Sequence, residues 1–276
     1  MSKLNKIKIE KQNRLHDIQT YDMKNLVFTD MFEADIKGTN PPIKYKKVDI
    51  VTKNEKTREV DQPGGEFSLE EDPDMRDTMG DLLFLMDEMF SFGVQESIDF
   101  HSKRVTGYKM SMALDDNSGA SNRQLNTISQ IEKIVLECKK YLVANRKELK
   151  LPKLEMCDLK SMNKIIYTNE DEDGERVPGK SKTIDPKPIY TGNIPNINFL
   201  TKFYHDTEVD EEGNPVEVDP MSYLNKLCYV RPVVKVDSIH LGSVITIQLK
   251  ITEAIIRPKI KTKANLNTGF LHKRRK

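Results

Sequence analysis

From Tyr229 to Arg257 the chain reads YVRPVVKVDSIHLGSVITIQLKITEAIIR. In its second half Ile245, Ile247, Leu249 and Ile251 alternate with Thr246, Gln248, Lys250 and Thr252. This period of two is the mark of a strand with one buried and one wetted face. In the first half Val234 and Val236 alternate with Lys235 and Asp237, and the polar break His240-Leu241-Gly242-Ser243 separates the two runs. Gly242 can take the positive φ that a tight turn needs. The stretch therefore predicts a β-hairpin whose wet face carries Lys235, Thr246, Gln248 and Lys250, with Asp237 as its one acid.

Outward from the hairpin, charge is distributed unevenly along the 276 residues. The net charge is +1, yet Glu66 to Phe100 holds eleven acids against the single base Arg76, whereas Arg231 to Lys276 holds eleven bases against Asp237 and Glu253. A basic end of this kind favours polyanions or acidic partners. Cys138, Cys157 and Cys228 are far apart and form no Cys-x-x-Cys pair, which argues against zinc and for a reducing compartment. The first residues, MSKLNKIKIEKQNR, lack the apolar run of a signal peptide, and no stretch reaches the roughly 18 apolar residues of a membrane span. These features predict a soluble intracellular protein.

Further strands are predicted at Asn25–Thr29, Ile43–Thr52, Arg104–Leu114, the end of Lys160–Thr168, Pro186–Thr191 and Asn196–His205. Two helices are predicted. Met75 to Phe92 spaces Met79, Leu82, Leu83, Leu85, Met86, Met89 and Phe90 in a helical manner behind the acidic stretch 66–74. The second begins at Ser121, with Gln124 completing a capping box, and runs to about residue 147 on a stripe of Leu125, Ile128, Ile131, Val135, Cys138 and Leu142. Met221 to Leu227 suits one helical turn. The reading is an α+β, β-rich domain over 1–257, compatible with an OB-like barrel carrying an inserted long helix, followed by a flexible basic tail at 258–276.

Motifs for catalysis are missing: there is no Gly-x-x-x-x-Gly-Lys-Ser/Thr, Gly-x-Gly-x-x-Gly, Gly-x-Ser-x-Gly or His-Glu-x-x-His. Neither a cofactor nor a metal is called for. What recurs is a Lys or Arg beside an aromatic on a predicted strand. Arg104, Tyr108 and Lys109 share one strand; Tyr167, Lys202 with Tyr204, and Tyr229 with Arg231 repeat the pattern. Single-stranded nucleic acid is held by surfaces of this composition, because bases stack on rings and cations follow the phosphates. Each pair taken alone is an ordinary solvent face of a strand. The candidate contacts are these eight residues together with the hairpin's Lys235 and Lys250, Arg257, and the tail's Lys259, Lys261, Lys273, Arg274 and Arg275.

The blocks LKSMNKIIYTNEDEDGERV, PKPIYT, INFLTKFYHD and DPMSYLNKLCYVRPVVKVDSIHLGSVITIQLKITEAII, spread over Leu159 to Ile256, resemble the C-terminal half of a protein family of nucleocytoplasmic large DNA viruses. That family is similar to the poxvirus single-stranded-DNA-binding protein. The resemblance implies an OB-like barrel and non-enzymatic, largely sequence-independent binding of single-stranded DNA in viral replication, recombination or repair. It also implies action in the viral factory of the host cytoplasm. Phage-type single-stranded-DNA-binding proteins end in an acidic tail, whereas this chain ends in HKRRK. RNA as ligand, self-association and packaging in the virion stay open. So does a second reading: a structural virion or core protein that meets replication or virion partners through acidic 66–74 and helix 75–92.

Overall fold

The computed structural model describes residues 15–36, 43–54, 57–61, 67–71, 78–115, 119–162, 165–173, 175–177, 179–212 and 215–259. Within them, nine strands precede a long helix: β1 (His16–Asp17), β2 (Leu26–Phe28), β3 (Phe32–Ile36), β4 (Ile43–Asn54), β5 (Thr57–Asp61), β6 (Phe67–Glu71), β7 (Thr78–Leu85), β8 (Met89–Ile98) and β9 (Val105–Ala113). The helix is α1 (Asn122–Ala144). Nine strands follow: β10 (Ile166–Tyr167), β11 (Thr183–Ile184), β12 (Lys187–Pro188), β13 (Tyr190–Asn193), β14 (Asn196–Phe199), β15 (Lys202–Val209), β16 (Pro215–Val218), β17 (Cys228–Leu241) and β18 (Ile245–Pro258). The architecture is α+β and β-rich, as the alternation predicts.

The predicted hairpin is the spine. β17 and β18 pair from Cys228↔Pro258 to Leu241↔Ile245. The other edge of β17 is taken in succession by β8 at 228–230, β7 at 233–236 and β4 at 238–241. The outer edge of β18 receives β12 and β15, both parallel. The main sheet then runs β1-β7-β4-β17-β8-β9-β11-β10 and does not close into a barrel. The turn needs no special backbone: a three-residue loop joins Leu241 to Ile245, and Gly242 is absent from the positive-φ residues.

One face of the hairpin is core. Val230, Val234, Val236, Ile239, Ile247, Leu249, Ile251 and Ile256 are buried, each contributing about 1.5–3 kcal/mol of hydrophobic stabilisation. Against this face lies α1. Its capping box is formed, with Gln124 N donating to Ser121 Oγ at 3.2 Å and Ser121 N donating to Gln124 Oε1 at 2.8 Å. The buried stripe is Ile128, Ile131, Ile134, Cys138 and Leu142. Ile134 takes the place the stripe reading gave to Val135, and Leu125 is exposed. Ile131 and Ile134 meet Phe84, Met86, Val234, Val236 and Leu249 in one apolar layer.

The helix expected at 75–92 does not form: residues 78–85 and 89–98 are β7 and β8. An unbroken apolar run such as Leu82–Met86 satisfies both periods, so its length and flanks must decide. The flanks alternate. Gly80, Leu82, Phe84 and Met86 point inward, while Asp81, Leu83, Leu85 and Asp87 point outward. Phe84, Phe90 and Phe92 add β-propensity, and Gly80 and Gly93 weaken a helix. Gly93 is required where it stands. It has a φ of +80°, and a Cβ there would collide with the carbonyl oxygens of Tyr223 and Lys226. It thereby seats the 3-10 turn Pro220–Tyr223, the short helical turn expected near Met221, against β8. The acidic stretch 66–74 is represented by β6, paired with β5; its remainder lies outside the described residues.

Candidate nucleic-acid interface

On the face opposite α1 the sheet has two distinct levels. At the first, the parallel and antiparallel registers place Lys187, Lys250, Lys235 and Leu83 side by side on β12, β18, β17 and β7. A bulge between Val236 and Ser238 turns Asp237 beneath them. Asp237 is only 7 % exposed. Lys235 Nζ lies 3.1 Å from Asp237 and 3.0 Å from Asp81, and Lys250 Nζ lies 2.7 Å from Asp237. Burial works to raise the Asp237 pKa, but the hydrogen bond from Lys250 and the charges of Lys235 and Lys250 outweigh it and hold the carboxyl below its ordinary range. His240, tilted against Tyr45 at 4.6 Å between ring centroids, is pushed down to about 4 by burial, then by Lys187, Lys250 and Lys47, with Asp237 opposing them. This level is a closed ionic network.

The second level lies four to eight residues further from the turn. Phe90 on β8 pairs with Tyr229 on β17, which pairs with Arg257 on β18. Alternation puts all three on the outward face, since the neighbours Val230 and Ile256 are buried. The Arg257 guanidinium sits over the Tyr229 ring at 4.4 Å, and Lys259 Nζ sits over Phe90 at 4.7 Å. Phe90 meets Phe92 and Tyr229 edge to face at 5.3 and 5.9 Å. Phe92 is 41 % exposed. One step along, Tyr204, Ile255 and Arg231 form the next row across β15, β18 and β17. Glu88 and Asp206 reach Arg257 from the rim, and the depression they border with Asp87, Arg231 and Ile255 has a volume of about 270 Å³.

Of the sequence-selected residues, this level collects Tyr204, Tyr229, Arg231, Arg257 and Lys259, with Lys202 nearby but paired to Glu217 at 3.4 Å. The rest stand apart. Lys235 and Lys250 belong to the Asp237 network. Tyr108 is 5 % exposed, locked in a three-ring cluster with Tyr190 and Phe199 at 6.0 and 5.8 Å; it is core, because the β13–β14 hairpin covers β9. Lys109 is paired with Asp185. Tyr167 sits on β10 at the far edge of the sheet and Arg104 at the tip of the β8–β9 hairpin. Lys261, Lys273, Arg274 and Arg275 lie outside the described residues. Phe90 and Phe92 stand outside the sequence-selected residues because their segment carries a helical spacing. The signal that finds them is the alternation Phe90, Phe92 against Met89, Ser91.

No group of three or more metal-ligating side chains occurs among the described residues, and no described helix is long and apolar enough to cross a membrane. Residues 19–268 match the model of a family described as protein of unknown function (DUF2738). No curated protein matches the chain.

Proposed function

The chain belongs to the DUF2738 family, and we propose that it binds single-stranded DNA, without catalysis and with little sequence preference, through the Phe90–Tyr229–Arg257 level of its sheet. One observation carries this reading: three adjacent strands set two rings and a guanidinium in a row on an open face, flanked by Phe92, Tyr204, Arg231 and Lys259. Stacking on such rings contributes about 1–3 kcal/mol per base and accepts any base, since every base has a π-face. The cations beside them would follow the phosphates. An open sheet suffices for this, and kinship with OB-like barrels is the fold the sequence resemblance suggests. Replication, recombination or repair in a viral factory is the setting the sequence resemblance suggests. Residues 78–98 offer no helix for assembly, because they form β7 and β8 inside the sheet.

Fluorescence polarisation of a labelled single-stranded oligonucleotide, at two salt concentrations and against the matching duplex, tests the proposal. Affinity should fall steeply with salt, with a log–log slope of about −0.7 per phosphate neutralised. Equal affinity for single strand and duplex, or binding indifferent to salt, would remove it.

A further inference from the structure

Beyond Val94 the β8–β9 ribbon leaves the sheet. Residues Gln95–Ile98 pair with Val105–Lys109 alone among the recorded strand pairings. Tyr190 braces it over Gly107, and the tip projects past that brace. There Phe100 is 77 % exposed, the highest of the large apolar side chains described, with Ile98 beside it also exposed. The tip is nonetheless pinned. Asp99 N donates to Arg104 O at 2.9 Å, Lys103 N to Asp99 O at 3.0 Å, and Ser102 N to Asp99 Oδ1 at 2.6 Å. The bonds from Ser102 hold the Asp99 carboxyl below its ordinary range. Lys103 takes a φ of 55°, rare for a residue with a side chain, and its Nζ lies 4.4 Å over the Phe100 ring. Held backbone strain beside an exposed ring points to function. His101 flanks the ring edge to face, and Arg104 is exposed.

We infer that this tip is a second contact for the same DNA strand, Phe100 stacking on a base and Lys103 and Arg104 meeting phosphates. The inference rests on the platform reading above and deepens it. The chemistry selects the ligand: one fixed ring between cations fits a base joined to its phosphates. Ile98 and Phe100 alone are a small apolar surface for a lipid bilayer, on which even a single acyl chain holds only marginally. Phe90 stands at the start of β8 and Phe100 two residues past its end, roughly 30 Å apart along an extended chain, so a short oligonucleotide would engage one contact and a long one both.

The chain contains no Trp, so Phe100→Trp and Phe92→Trp each give the full-length protein a single indole reporter. Titration with oligothymidylates of about 4 and about 30 nucleotides, lengths at the bottom of and above the range of site sizes of one sheet, reads both contacts. The long oligonucleotide should quench the Phe100→Trp indole, Phe100→Ala should weaken its binding about tenfold, and K103A/R104A should make the salt slope shallower by about 1.4. If the indole at 92 is quenched, the indole at 100 is unmoved at saturation, and Phe100→Ala binds as wild type, the tip is not a contact while the platform stands. If wild type binds no oligonucleotide, the platform reading falls first. A response of the indole at 100 to anionic phosphatidylserine vesicles, and none to oligonucleotide, would replace the strand by a lipid surface.

Discussion

Two levels of one sheet face, on the same strands β17 and β18, use the same cationic side chains differently. At the level of Lys235 and Lys250 the acid that answers them, Asp237, is buried at a bulge beneath their ammonium groups. At the level of Tyr229 and Arg257 the acids are Glu88 and Asp206 on the rim, both open to water. A phosphate that drew Lys250 away would take the shorter of two ion pairs from a buried carboxylate and leave it with Lys235 alone, which is costly. A phosphate that drew Arg257 away would leave Glu88 to the solvent at little cost. The availability of a cation on a protein surface thus depends on where its counter-charge sits, and a count of lysines cannot reveal it.

The contrast is broken most forcefully at its buried acid. Asp237→Ala should lower stability by about 2–3 kcal/mol, read as a fall in the urea midpoint; an unchanged midpoint would mean that the network is ornamental. The next effect is of pH. His240 has a folded pKa near 4 against 6.5 for the free side chain, so its unfolded form binds a proton that its folded form refuses. Its contribution is complete above pH 6.5 and is lost as pH falls from there towards 4, by roughly 2 kcal/mol. Asp237, with its pKa depressed from 3.8, adds a further loss only as pH drops below that value. Urea midpoints between pH 7.5 and 4.5 should show the first loss, and His240→Phe should flatten it.

The two levels separate most clearly in binding. Tyr229→Ala should weaken oligonucleotide affinity about tenfold, whereas Lys250→Ala should leave the affinity of folded protein as it is. The reverse order would assign the interface to the lysine level. The smallest effect is expected at the rim: Glu88→Gln should tighten binding about two- to threefold at low salt and not at high salt, because it releases Arg257 from an exposed competitor.

The strand alternation made the hairpin, β4, β9 and the α1 cap legible, since period and capping chemistry are local properties. The coarse fold followed from them. The segment 75–92 was misread because Leu82 to Met86 carries no phase of its own, and only the outward Asp81 and Asp87 reveal the period. The site divided on a different point. Tyr229, Arg231 and Arg257 could be chosen from the sequence because each sits on a strand beside others of its kind. That Tyr108 is roofed by Tyr190 and Phe199 depends on residues far along the chain, and the bulge that tucks Asp237 under Lys235 and Lys250 is a break in the alternation that no local pattern records.

The manner in which β17 lends one edge to β8, β7 and β4 has a consequence for the order of synthesis. The strands made first cannot complete their ladders until residues 228–241 have emerged, more than a hundred positions later. Before then α1 and the hairpins β3–β4, β5–β6, β8–β9, β13–β14 and β15–β16 can organise locally. Loop closure of that length makes folding slow and leaves apolar strand edges waiting, so a nascent chain halted before Cys228 should depend on chaperones in a way the finished chain does not.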